Sequence, residues 1–137
     1  MTTTNTLFSG GQGVAVPSGI ITEISAVQSG VNASVSGIVN LASILLNQGT
    51  YLIYTFQQTS NATTAGLRGI TSLSLTSATE DTTWRSIACT GSTGNANSGF
   101  VVRPLLVTSS SQTIFLTGRG PDGAVTIAYV MFTVRIA

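Results

Sequence analysis

The segment from Asn47 to Gln57 constrains the fold of this chain more than any other. A turn-forming triplet, Asn-Gln-Gly, leads directly into Thr-Tyr-Leu-Ile-Tyr-Thr-Phe-Gln, a short run rich in aromatic and β-branched residues. Such residues favour a strand, and the run is too short and too clearly bounded to favour a helix. Large apolar side chains occupy both alternating sets of positions, so both faces of the strand should be covered. We expect the core to cover one face and a second copy of the chain to cover the other.

Short strand patterns separated by turns recur along the rest of the sequence, and no segment has a convincing helical pattern. The main predicted strands lie at 20–24, 31–40, 41–46, 49–57, 67–75, 84–89, 100–107, 112–117 and 124–136. Pro104 falls inside one of them and predicts an edge strand or a bulge there. This spacing predicts an all-β fold, an antiparallel β-sandwich of the jelly-roll type with about eight to nine strands. We expect one domain at residues 14–137, preceded by an N-terminal arm at 1–13 that anchors through Leu7 and Phe8.

The chain is unusually poor in charge. Charged residues make up 7% of it, against about 25% in ordinary soluble domains. It has five arginines, four acids, no lysine and no histidine, and the 44 residues between Glu23 and Arg68 carry no charge. A monomer could instead be solvated by its 39 Ser and Thr residues. We favour packing into an assembly, because a soluble monomer ordinarily keeps a mixed charged surface.

Charge and hydrophobicity also narrow the classes of partner. The net charge is +1 and the arginines are scattered, whereas nucleic-acid binding needs clustered positive charge. No window approaches the ~18 to 20 consecutive apolar residues of a membrane-spanning helix. The N-terminus has neither the basic nor the apolar region of a secretory signal. We therefore expect no nucleic-acid partner, no membrane insertion and no signal peptide.

The sequence contains no recognisable catalytic constellation. The absence of histidine removes Ser-His-Asp and Cys-His arrangements and most zinc sites. We interpret the single cysteine, Cys89, as a small buried apolar side chain. Glu80 and Asp81 are interpreted as a solvated loop, because neighbouring side chains in an extended segment diverge. Arg119 and Asp122 could pair across a turn. We expect no enzyme activity, no cofactor and no metal site.

Three segments carry a resemblance to a known family. Gly49-Thr50-Tyr51-Leu52-Ile53-Tyr54 resembles the G-x-Y-x-aliphatic-Y strand of the tumour necrosis factor and C1q-like trimeric jelly rolls. Ser111–Leu116 and Val125–Ala137 are similar to the last two strands of that family. The resemblance implies a homotrimer packed around a threefold axis through an aromatic-lined interface.

The resemblance also implies which side chains meet the partner subunits. Tyr54 matches the family's axis-facing tyrosine, and the parity of the strand puts Leu52 and Phe56 on the same face. Tyr51 and Ile53 would then point into the sandwich. With companions from the last strand, the predicted oligomer interface consists of Leu52, Tyr54, Phe56, Tyr129 and Met131.

The sequence is compatible with two functions. The first is a structural protein of a virus particle, a trimeric subunit that forms or decorates the capsid, lies in the virion and contacts other capsid proteins. The second is a receptor- or glycan-binding trimeric module, such as a fibre tip or adhesin, that uses the loops at 60–65, 77–83 and 95–99. The scarcity of charge and the lack of a secretory signal favour the first.

Overall fold

The computed structural model describes residues 27–92 and 94–137 in full and, before them, the backbone of three short strands. The described part of the chain is all β and contains no helix. Its nine strands are β1 (Thr4–Thr6), β2 (Ala15–Pro17), β3 (Glu23–Ile24), β4 (Gln28–Val35), β5 (Val39–Ser60), β6 (Arg68–Ser74), β7 (Arg85–Cys89), β8 (Asn97–Arg119) and β9 (Val125–Arg135). β1 and β2 form a two-stranded sheet, and the other seven strands form one antiparallel sheet.

The long-range pairings of the sheet are nested in the sequence. β6 pairs with β7, β5 pairs with β8 outside them, and β4 pairs with β9 outside both. β9 also pairs with β5, β6 also pairs with β8, and β3 extends the edge that β4 forms along β9. Every pairing is antiparallel, as the hairpin-rich sequence pattern predicts.

β5 and β8 are each long enough to pair with different neighbouring strands in two parts of the sheet. Their pairing shifts register between Asn47 and Gly49, opposite the segment between Val107 and Ser111. On one side of this irregularity, the second half of β5 lies between β9 and the first half of β8. On the other side, the second half of β8 lies between the first half of β5 and β6.

The main core cluster joins these two parts of the sheet. It contains the buried side chains of Leu46, Tyr51, Ile53, Leu73, Val107, Ile114, Leu116 and Met131. These residues come from both halves of β5 and β8 and from β6 and β9. The two halves of the sheet therefore share one apolar core. Burial of this kind stabilises a fold by roughly 25 cal/mol for each Å² of apolar surface removed from water.

The structure confirms the all-β antiparallel class, while the jelly-roll sandwich stays a prediction. The turn predicted at Asn47–Gly49 is wrong as a strand break, because β5 continues through it. The break at Ser109–Ser111, implied by the separate strands predicted at 100–107 and 112–117, is wrong as well, because β8 continues through it. A register shift lets a strand bend without ending. Pro104 lies where β8 pairs with β5 and, among the described strands, with no strand on its other side, which agrees with an edge position. Leu7 and Phe8 of the predicted arm lie outside the described residues.

Candidate functional site

The outer surface of β5, β8 and β9 is the candidate functional site. Along β5, burial alternates: Tyr51, Ile53 and Thr55 are buried, while Leu52 and Tyr54 between them are partly exposed. Register places side chains of β8 and β9 beside the outward set. We call this surface the apolar face, and it consists of Leu52, Tyr54, Phe56, Phe100, Val102, Pro104, Leu106, Val130, Phe132 and Val134.

Two aromatic pairs lie on the apolar face, one near its middle and one at its end. The Tyr54 and Phe132 rings are stacked, with centroids 5.1 Å apart and an interplanar angle of 8°. Phe56 and Phe100 lie 6.2 Å apart at 31°. Phe56 is 49% exposed and Phe100 67% exposed. Single exposed apolar residues are common on soluble proteins, but a contiguous patch across three strands is typical of a surface that another molecule covers.

The charged side chains lie away from the apolar face. Among the described residues, none of the side chains that form this face is charged. The ion pairs of the described residues are Arg68–Asp122 at 2.7 Å, Arg85–Glu80 at 2.8 Å, Arg103–Asp81 at 2.8 Å and Arg119–Glu80 at 2.9 Å. They lie on β6, β7, the loops after β6 and β8, the end of β8 and the inner side of β8, and none of them involves a side chain of the apolar face.

The loop between β6 and β7 is held by its two acids. Glu80 accepts from both Arg85 and Arg119, and its side chain is only 10% exposed. Asp81 pairs with Arg103. The prediction of a solvated acidic loop is therefore wrong, because arginines that are distant in sequence reach it. The expected divergence of the two carboxylates is confirmed, since they bind different arginines.

Arg103 is a buried cation at the inner side of β8. Its Nη1 donates to the Leu73 carbonyl at 2.6 Å and to Asp81 Oδ2 at 2.8 Å. Its guanidinium carbon lies 5.7 Å from the Trp84 ring centroid. The residue is 8% exposed, and its Nε has no hydrogen-bond partner. These contacts tie the charged loop to the core and have no counterpart on the apolar face.

The predicted pairing of Arg119 with Asp122 is also wrong. Asp122 instead accepts from Arg68, with Nε at 2.7 Å from Oδ2 and Nη2 at 2.7 Å from Oδ1. These hydrogen bonds from Arg68 lower the pKa of Asp122 to about 2. Cys89, expected to be buried, is an exposed free thiol. It lies at an outward position of β7, whose inward positions are buried.

The structure divides the predicted interface residues between two faces. Leu52, Tyr54 and Phe56 share the apolar face, as parity predicts, and Tyr51 and Ile53 are buried in the core, also as predicted. Met131 belongs to the core as well and is 0% exposed, so it is wrong as an interface residue. Tyr129 packs against the same core, and its hydroxyl donates to the Leu41 carbonyl at 2.7 Å.

The β9 side chains on the apolar face are those at the even-numbered positions, which alternate with Tyr129 and Met131. Tyr54 lies opposite Phe132 in the register, and Phe56 lies opposite Val130. Sequence reasoning missed these residues because β9 carries large side chains at both odd and even positions. Alternation of polar and apolar residues would not have corrected the choice, because Thr133, a polar residue within the set that includes Met131, is 1% exposed. The uniformly apolar set of Val130, Phe132 and Val134 is the one that faces outward.

One end of the apolar face is a depression with a volume of about 570 Å³. Four strands line it: β4, β8 and β9 contribute small residues, and Phe56, Val130 and Val31 are its bulky apolar members. Val31 is 70% exposed. The full lining is Ser29, Gly30, Val31, Phe56, Gln57, Gln58, Ser98, Gly99, Ala128, Tyr129 and Val130. The depression is uncharged, like the face it belongs to.

Comparison of the sequence with protein-family models and with curated proteins finds no match. Within the described part of the chain, no helix has the length and apolar character needed to cross a membrane. The described residues also contain no cluster of three or more side chains of the types that bind metals.

Proposed function

We propose that this chain is a structural subunit of a virus particle, which trimerises through the apolar face and forms or decorates the capsid. The observation that carries the proposal is the apolar face itself, an uncharged surface with stacked and tilted aromatic pairs on three neighbouring strands. Aromatic residues dominate the energetics of protein interfaces, and the buried centres of interfaces are depleted in charge. A second copy of an equally uncharged chain is a suitable partner for such a surface.

The strand pairing supports a jelly-roll arrangement for the subunit. When β5 and β8 are divided at their shared irregularity, two groups of four neighbouring strands result. One group runs β4, β9, second half of β5, first half of β8, and the other runs first half of β5, second half of β8, β6, β7. Nested antiparallel pairs that split into two four-stranded layers are expected of a jelly roll. The apolar face then belongs to the first layer.

The distribution of charge supports assembly. The described ion pairs all lie outside the apolar face, and none of the side chains that form this face is charged. Such a chain gains little solubility from that surface as a monomer. In an oligomer this apolar surface is covered and no longer exposed to water. Other capsid proteins could contact the surface that carries the ion pairs. The alternative, a receptor- or glycan-binding trimer, would use the same interface and differ only in what its loops bind.

The substitution Tyr54→Asp tests the interface. It places a charge beside Phe132 in the middle of the apolar face, where burial against a partner without a counter-ion costs several kcal/mol. We expect light scattering after gel filtration to show trimers for the wild type and monomers for Tyr54→Asp, with unchanged β-type circular dichroism. Ile87→Asp is the matched control, because Ile87 is 46% exposed on β7, outside the apolar face, and should leave the trimer intact.

Three results would contradict the proposal. A normal trimer of Tyr54→Asp would refute the interface, and a wild type that stays monomeric at all concentrations would refute the subunit. Purified trimers that bind glycans or cells, but neither form shells nor bind to particles, would refute the capsid role and favour the alternative. Electron microscopy of concentrated protein and a glycan-binding screen separate the last two cases.

A further inference from the structure

We infer that the depression on the apolar face receives the N-terminal arm of a neighbouring copy, with Leu7 and Phe8 as the inserted side chains. The inference rests on the proposed assembly and names a second contact within it. The depression is apolar, uncharged and about 570 Å³ in volume, which is enough for the side chains of a short apolar segment.

The composition of the arm fits this surface. The chain carries no charged side chain from Met1 to Thr22. Leu7-Phe8 is the bulkiest apolar pair in that stretch and lies in the eight residues that connect β1 to β2. A segment of Thr, Ser and Gly can fill a depression without leaving a charge buried, since hydroxyls and backbone groups find hydrogen-bond partners more readily than charges find counter-ions.

The direction of the chain favours a neighbour over the same subunit. β3 and β4 run along β9 from Arg135 towards Val125, with Glu23 opposite Arg135 and Val31 opposite Ala128. The first residue of β3, Glu23, therefore lies at the Arg135 end of β9. The depression lies at the other end, seven residues along β9, or roughly 24 Å at about 3.4 Å per residue. To fill its own depression, the arm would have to reverse and pass back over the sheet.

Disulfide trapping tests the inference directly, because the chain has one native cysteine. In a Cys89→Ser background, Phe8→Cys is combined with Ala128→Cys, which lies in the depression. After equilibration in a glutathione redox buffer, we expect covalent dimers and higher multiples on a non-reducing gel. The pair Phe8→Cys with Ile87→Cys is the control and should remain uncrosslinked, because Ile87 is exposed on β7 and does not line the depression.

Three other results of the crosslinking experiment would overturn the inference, and each has a different cause. A monomer that has lost both thiols shows that the arm fills the depression of its own subunit. Two free thiols in a trimeric protein show that the arm lies elsewhere and leave the proposed assembly intact. A monomeric Cys89→Ser parent refutes the assembly together with the arm exchange. As a second measurement, Phe8→Ala should weaken association by about tenfold or more, as for an interface anchor, and unchanged association would refute the inference.

Discussion

The ion pair between Arg103 and Asp81 gives the sharpest prediction about stability. Asp81→Ala leaves Arg103 charged and 8% exposed without its counter-ion, which we expect to cost about 3–5 kcal/mol of unfolding free energy. Arg103→Met removes the charge together with the unpartnered Nε. Its main cost is the donor lost by the Leu73 carbonyl, about 1–3 kcal/mol. Removing the smaller, more exposed partner should thus be worse than removing the buried arginine.

A double-mutant cycle measures the coupling. In the Arg103→Met background, Asp81→Ala loses only contacts such as the hydrogen bond from the Thr83 N–H, and should cost about 1 kcal/mol or less. The expected coupling energy is therefore about 2–4 kcal/mol. Urea unfolding at a fixed protein concentration gives the four free energies, with fluorescence of Trp84, the only tryptophan, as the probe. If Asp81→Ala costs the same in both backgrounds, the pair is not a buried unit and the reasoning fails.

Two further predictions concern acid stability and packing. Because Arg68 lowers the pKa of Asp122 from 3.8 to about 2, the pair stabilises the fold above about pH 4, and this contribution is lost as the pH falls towards 2. Asp122→Asn should therefore reduce the decrease in melting temperature between pH 4 and 2, and an unchanged acid profile would contradict the assignment. A Cβ at Gly69 would lie 2.9 Å from Thr59 Cβ, so Gly69→Ala should cost about 1–3 kcal/mol in urea unfolding. Gly37→Ala, with no atom within 4 Å of the added carbon, should change stability little, and equal effects of the two substitutions would refute the packing argument.

The parts of the fold that follow from local alternation could be predicted from the sequence. The alternation from Tyr51 to Gln57 gives both the strand and its inward set, because successive side chains of a strand point to opposite faces. The breaks expected at Asn47–Gly49 and Ser109–Ser111 failed for a reason that lies outside the local sequence. β5 and β8 pair across both segments, and the pairing carries the strands through residues that favour turns.

The candidate site was only half predictable. The alternation in β5 predicts which of its residues face outward. In β9 both faces carry large side chains, so the choice between Met131 and Phe132 depends on which of them packs against Ile53 and Leu73 in the core. The burial of Arg103 was unpredictable for a similar reason. Its counter-ion lies 22 residues away, and no periodicity indicates that pairing.

The nesting of the strands has a consequence for the order of events during synthesis. The innermost pair, β6 and β7, can form as soon as Cys89 has emerged, whereas β4 must wait for β9, about one hundred residues later. Contacts of such long sequence separation form slowly. Phe132 and Val134, which complete the apolar face, belong to β9, the last of the described strands in sequence order. A nascent chain therefore cannot present the finished face to another copy until β9 has emerged and paired with β5.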